Sequence, residues 1–163
     1  MSKEFLNKTA IVTGSSQGIG YAVAKLYIER GLSNITIVGR DEIKGNKVLK
    51  EFNSMGANCL FVKAELKNVD DCRKIVKMTD EKFGKIDILA NCAGDTRRAT
   101  ILSTDQSLFD DIIAVNLRAP FFLIQDCVKV MRREKIKGAI ASVITMSAHS
   151  GAVFKAPYSA SKA

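Results

Sequence analysis

The sequence predicts an α/β fold: a parallel sheet with helices on both faces. Three observations predict it. Short apolar runs of strand length alternate with longer stretches of helical period. The connections between them are short, as strand–helix–strand crossovers require. The first apolar run empties into a glycine-rich turn that opens a helix.

The first strand is read over residues 9–12, Thr-Ala-Ile-Val. Ile19, Ala22, Val23, Leu26 and Arg30 then follow helical spacing up to Gly31. A second strand is read at 35–38, a second helix at 43–55 closed by Gly56, and a third strand at 59–62. Val69, Cys72, Val76, Thr79 and Phe83 mark a third helix, closed by Gly84. A fourth strand at 86–90 leads to a polar loop over 94–104, and one long helix is expected from about 105 to 131. A fifth strand is read at 139–146, and a last helix begins near Ala156. The strands are continuously apolar rather than alternating, as strands covered on both faces should be. The natural assembly is a Rossmann-type doubly wound sheet of order 3-2-1-4-5 in one domain over 1–163.

At 163 residues and 17.8 kDa the chain suits one domain with a real core. Apolar residues make up 47% and charged residues 26%, which argues against disorder as the main state. No apolar run approaches the roughly 18 residues of a membrane span, and the start has no apolar leader segment. The net charge of +8 fits an anionic ligand such as a phosphate-bearing cofactor. Nucleic acid does not fit, because the basic residues are scattered and no aromatics interleave with them. Cys59, Cys72, Cys92 and Cys127 form no C-x-x-C pair and sit in apolar-periodic segments, which fits a reduced, cytoplasmic setting. A single histidine, His149, cannot build a His-based metal site, so no metal is expected.

The turn after the first strand reads Thr13-Gly14-Ser15-Ser16-Gln17-Gly18-Ile19-Gly20. Glycines there let backbone approach a pyrophosphate. The helix that follows aims its free N–H groups and positive dipole end at the anion. The pattern fits dinucleotide binding, and a Walker loop is excluded because no Gly-Lys-Ser/Thr follows. The second strand ends at Val38-Gly39-Arg40-Asp41. An acid at the position of Gly39 would grip the ribose 2′-OH of NAD, whereas Arg40 favours the 2′-phosphate of NADP. NADP is therefore the expected cofactor and NAD the alternative.

Four motifs occur in order: Thr13-Gly14-x3-Gly18-Ile19-Gly20, Asn91-Cys92-Ala93-Gly94, Val115-Asn116-Leu117, and Tyr158-Ser159-Ala160-Ser161-Lys162. Together they resemble the short-chain dehydrogenase/reductase family over essentially the whole chain. The resemblance implies an oxidoreductase of the alcohol dehydrogenase type, moving a hydride between a nicotinamide cofactor and a carbonyl or secondary alcohol. It implies that Gly14, Gly18 and Gly20 form the cofactor turn, lined by Ser16, Gln17 and Ile19. Glu65 matches a position, usually Asp, that meets the adenine. Asn91, Ala93 and Gly94 match the family's Asn-Asn-Ala-Gly, with Cys92 replacing an Asn. Tyr158 matches the catalytic acid/base, Lys162 its partner at the cofactor, and Asn116 the residue that holds a proton-relay water.

The chemistry agrees with those roles. A carbonyl that accepts hydride needs a proton, and a tyrosine, with an ordinary pKa of about 10, needs a cation nearby to work near neutrality. Tyr158 and Lys162 are four residues apart and share a helix face. The family's carbonyl-polarising serine usually lies 13 residues before the tyrosine, which is Thr145 here. Ser147 is second, and an alignment on Gly151 would put Ala148 in the slot. Thr145, Ser147 and Asp95 are the expected substrate contacts. Arg97 and Arg98 are read as an ordinary polar loop, and His149 as a residue of the pocket rim or surface.

The chain ends one residue after Lys162, whereas members of the family usually run to roughly 250 residues. The C-terminal strands of the sheet are therefore expected beyond Ala163, leaving the fifth strand with an open edge. Two readings of function stand: the N-terminal part of an NADP-dependent oxidoreductase, or a truncated, non-catalytic dinucleotide-binding module. The long helix, with Phe121, Phe122, Leu123 and Val128, fits packing against a second subunit, as the corresponding helix does in the family. A homo-oligomer, dimer or tetramer, is expected of the full-length protein.

Overall fold

Successive side chains of a strand point to opposite faces, and this period sorts the core into two layers. In β1 (Thr9–Thr13), Ala10 and Val12 join one layer and Ile11 the other. The computed structural model describes residues 3–150 and 152–163. The leader reading at Met1 and Ser2 and the alignment on Gly151 lie outside the described residues. β1 is flanked by β2 (Asn34–Gly39), β3 (Asn58–Lys63), β4 (Ile88–Asn91) and β5 (Ala139–Ser142). All pairings are parallel and the order is β3-β2-β1-β4-β5, as predicted.

On one face, α1 (Gly18–Glu29) and α2 (Glu42–Ser54) bring Ala24, Ile28, Val48 and Phe52 against Ile35, Ile37 and Ile88. On the other, α3 (Val69–Phe83) and α5 (Ala119–Arg133) bring Cys72, Ile75, Leu123 and Cys127 against Ile11, Val62 and Leu89. Three helices start on a side-chain cap. Asp41 accepts from Lys44 N at 3.0 Å, Asn68 from Asp70 N at 2.9 Å, and Asp105 from Leu108 N at 2.8 Å. α3 stops at Gly84, whose φ of 71° is the left-handed cap geometry that glycine supplies cheaply. At the amino ends of the strands, the buried Asp87 accepts from Thr9 N at 2.9 Å and Lys8 Nζ at 3.0 Å, with Lys85 Nζ at 3.3 Å. Burial raises its pKa, but these donors together outweigh burial and hold the carboxyl below its ordinary value.

Two elements differ from expectation. The single long helix is three pieces: α4 (Gln106–Ile113), a π-helical turn Ala114–Arg118, and α5. Pro120 has no N–H to give to residue 116, so the uniform α ladder is broken there. The fifth strand ends at Ser142, not at residue 146, because its partner β4 ends at Asn91, which is opposite Ser142. Val143 N still donates to Asn91 O at 3.0 Å, and then a short 3₁₀ turn begins at Met146. The last helix is α6 (Ala156–Lys162). β5 lies at the sheet edge and is exposed throughout.

Among the described residues, no helix is long and apolar enough to cross a membrane, and no cluster suits a metal ion. All four cysteines are free thiols. Burial pushes Cys59 and Cys72 up to about 11 and Cys127 up to about 12. On the long helical segment, Leu123 turns into the protein's own core, while Leu117 and Phe121 remain exposed.

Candidate active site

The carboxyl ends of the strands open into a cleft of about 690 Å³, floored by the β1–α1 turn and by residues 92–94. The turn is built for close approach. Gly14 has φ +65°, and a Cβ there would stand 2.9 Å from Ala93 Cα. A Cβ on Gly20 would stand 2.5 Å from Gly14 O, so α1 packs onto the turn only without one. Ser15 is buried and clamps the turn, donating to Val12 O at 2.6 Å and accepting from Val38 N at 2.9 Å. Thr13 Oγ1 accepts from both Cys92 N and Ala93 N at 3.1 Å, fixing the β4 loop against the turn. Unlike α2, α3 and α4, α1 has no side-chain cap, and unlike α2 and α3 it has no acid in its first turn. Its free N–H groups and dipole face the cleft, which fits a dinucleotide's pyrophosphate.

Ser16, Gln17, Gly18, Ile19, Arg40, Glu65, Ala93 and Gly94 all line this cleft, as does Asp95. Arg40 is well exposed and meets Glu65 Oε2 at 3.8 Å. Gln17 Oε1 accepts from Lys44 Nζ at 3.0 Å. A Cβ on Gly39 would stand 2.7 Å from Ser16 Oγ, so any longer residue there would displace that hydroxyl. Asp41 is engaged as the cap of α2. Asn91 does not reach the cleft: its amide turns into the sheet and donates to Ser142 Oγ at 3.2 Å.

A second cluster adjoins Gly94. The buried Asn116, in the π turn, accepts from Asp95 N at 2.7 Å and donates to Asp95 O and Ser161 Oγ, both at 2.9 Å. Ser161 in turn donates to Tyr158 O at 2.7 Å. Lys162 Nζ donates to Val143 O at 2.9 Å, and burial pulls its pKa below the usual ammonium range. A Cβ on Gly94 would stand 3.4 Å from Asn116 Oδ1 and 3.9 Å from Lys162 Nζ, so both approach a residue that lines the cleft, while they, Thr145, Ser147 and Tyr158 lie outside its lining. Tyr158 is half-buried one helical turn before Lys162. Thr145, also half-buried, accepts from Ser147 N at 3.3 Å, leaving its hydroxyl proton free to donate. Ser147 Oγ accepts from Lys155 Nζ at 3.3 Å. His149 is exposed.

The cleft also holds Lys67 and Asp111, which sequence reasoning missed, and Arg97, which it read as ordinary loop. Arg97 binds Asp95 and Asp111 at 2.6 and 2.8 Å, and Lys67 meets Asp111 at 3.1 Å. Burial raises the Asp95 carboxyl, but Arg97 outweighs it and holds it below its ordinary value. Arg97 is thus tied into the cleft wall rather than an ordinary loop residue, and the Asp95 carboxylate already has its partner. Asp95 is two residues from Arg97, but Asp111 is 14 away, and no local spacing announces that second link.

A family profile described as short chain dehydrogenase matches residues 8–163. The chain is 34% identical over 159 residues to an uncharacterized oxidoreductase of Thermotoga maritima, covering 98% of this chain and 62% of that protein. It is 30% identical over 158 residues to the 3-oxoacyl-(acyl-carrier-protein) reductase FabG of Staphylococcus epidermidis, covering 97% and 64%. A crystal structure of a short chain dehydrogenase from Burkholderia cenocepacia in complex with NADP superposes with a TM-score of 0.89 at 26% identity, covering 97% of this chain and 64% of that one. The chain therefore spans just under two thirds of the length of these relatives.

Proposed function

The chain belongs to the short-chain dehydrogenase family, and from that premise we propose that its protein is an NADP-dependent oxidoreductase acting on a carbonyl or secondary alcohol. One observation carries the reading: Asn116 and Lys162 approach Gly94, which lines the same cleft as the β1–α1 turn. In support, the neighbour from Burkholderia was solved with NADP, and relatives bear oxidoreductase names.

The nicotinamide dinucleotide, when bound, supplies or accepts the hydride. The residues do the rest. The β1–α1 turn and the uncapped start of α1 hold phosphate. Arg40, with Glu65 beside it, faces a 2′-phosphate, position 39 is glycine rather than an acid, and Asp41 is engaged as the cap of α2. Thr145 donates its free proton to the substrate oxygen, with Ser147 as the second candidate. Tyr158 gives or takes the proton at that oxygen, and Lys162 places a positive charge one turn away. Asn116 fixes Asp95 and Ser161, and through them the spacing of Gly94 and α6.

The test is Tyr158→Phe in the protein made from its own gene. Loss of a general acid/base should lower kcat for NADPH-dependent carbonyl reduction by about 10²–10⁴-fold while NADPH still binds. NADPH binding by the wild type with no turnover on any carbonyl or alcohol would favour the alternative, a non-catalytic dinucleotide-binding module.

A further inference from the structure

Lys155 is a half-buried cation whose hydrogen-bond partner is a neutral hydroxyl, Ser147 Oγ at 3.3 Å. The cations that line the cleft differ: Arg40 meets Glu65, Lys67 meets Asp111, and Arg97 meets Asp95 and Asp111. No carboxylate meets Lys155 among the described residues. Its partner is a neutral hydroxyl, so its charge remains available to an anion. Its place is specific. It stands three residues before Tyr158, and Ser147 N in turn donates to Thr145 Oγ1 at 3.3 Å. The backbone holds it there. Phe154 adopts φ +66°, a costly conformation for an aromatic residue. Lys155 pairs with Ala99 in an isolated parallel bridge, and Ala156 N donates to Ala99 O at 3.3 Å.

We infer that Lys155 and Ser147 form an anion subsite that selects carbonyl substrates carrying a carboxylate. This rests on the carbonyl-reduction reading above and adds the class of substrate. One lysine supplies a single positive charge, which matches a monoanion. Ser147 accepts from Lys155, so its own proton is free for a second oxygen of the same carboxylate. Because Ser147 adjoins Thr145, the carboxylate and the reacting carbonyl belong to one short molecule, an oxo acid rather than a long neutral chain.

The experiment compares a short 3-oxo acid with its methyl ester, using the protein made from its own gene and NADPH. Each is measured by kcat/KM and by calorimetric binding to the cofactor-loaded protein. The wild type should favour the acid by tenfold or more, as a charge-assisted contact allows. Lys155→Gln should bring the acid-to-ester ratio close to one, and Lys155→Arg should keep most of the preference. The ratio is the readout because a loss of folding or of cofactor binding lowers both terms alike. A wild-type ratio near one, or a preference that survives Lys155→Gln, overturns the subsite. Ester reduction without acid preference leaves the carbonyl-reduction reading standing. Lys155-dependent binding of the acid with no turnover of either compound keeps the subsite and overturns that reading.

Discussion

Replacing Asn116 by Leu keeps the size of a buried side chain and removes its amide. The wild-type amide accepts from Asp95 N at 2.7 Å and donates to Asp95 O and Ser161 Oγ, each at 2.9 Å. Asn116 is 6% exposed, so water cannot take over these contacts. A hydrogen bond of this kind contributes about 1 kcal/mol net, and three of them about 3 kcal/mol. For a domain of this length that lowers Tm by about 6–12 °C, at about 2–4 °C per kcal/mol. The consequence for chemistry follows from the same atoms: Asp95 and Ser161 lose their common anchor, so Gly94 and Lys162 lose their spacing. Thermal melts by far-UV circular dichroism, paired with NADPH turnover, make the measurement. A variant that melts within about 1 °C of the wild type would refute the claim that this amide joins the two halves of the site.

Three further outcomes are expected. Arg40→Ala should weaken NADPH binding by about tenfold and leave NADH binding unchanged, since only the former carries the 2′-phosphate; equal effects on both would remove Arg40 from cofactor choice. Thr145→Val should lower kcat by about 10²-fold, as loss of one donor to a developing oxyanion does, and much more than Ser147→Ala; the reverse order would move the role to Ser147. Asp87→Asn should destabilise the fold by about 2 kcal/mol at pH 7 through its lost ionic hydrogen bonds. Burial raises the Asp87 pKa, but Thr9, Lys8 and Lys85 outweigh it and the net shift is downward. Its stabilisation is therefore present above the ordinary value of 3.8 and is lost as pH falls through the lower folded value. Wild-type and variant melts should converge in strong acid, and a gap that persists there would contradict the sign.

Strand and helix identity was legible because both faces of β1, β2 and β4 are covered, so these strands are apolar runs and the helices show their stripes, while β5 reads as an apolar run although it is exposed. The strand ends were less legible. Residues 143–146 are as strand-like as those before them, yet β5 stops at Ser142 because β4 ends opposite it. A strand's length is a property of the pair, and no single segment contains it. The π turn was hidden for a similar reason, although Pro120 inside a helical pattern is a local signal for it. In the cleft, the glycines and Arg40 are local in meaning, since a turn and a strand end define them. Asn91 was placed by its motif, but its amide follows a tertiary partner, Ser142, 51 residues away. The link of Arg97 to Asp111 and the pairing of Lys155 with Ser147 are of the same kind: ordinary polar residues until the fold brings them together.

The π-helical turn at Ala114–Arg118 acts as a phase shifter. An α-helix advances about 100° per residue, so α4 and α5 on one uninterrupted ladder would share a fixed azimuth. The wider turn lets each helix choose its own. Leu123, Cys127 and Val130 can face the sheet and α3 while Asn116 is aimed at the β4 loop. Adding one residue to this stretch would exceed what the wide turn absorbs and rotate all of α5 by about 100° relative to α4. Leu123 and Cys127 would swing away from the core and Phe121 would sweep to a new bearing. Added length in this short stretch is therefore tolerated less than a change of residue type: most substitutions there alter one contact, whereas a single-residue insertion re-indexes a whole helix.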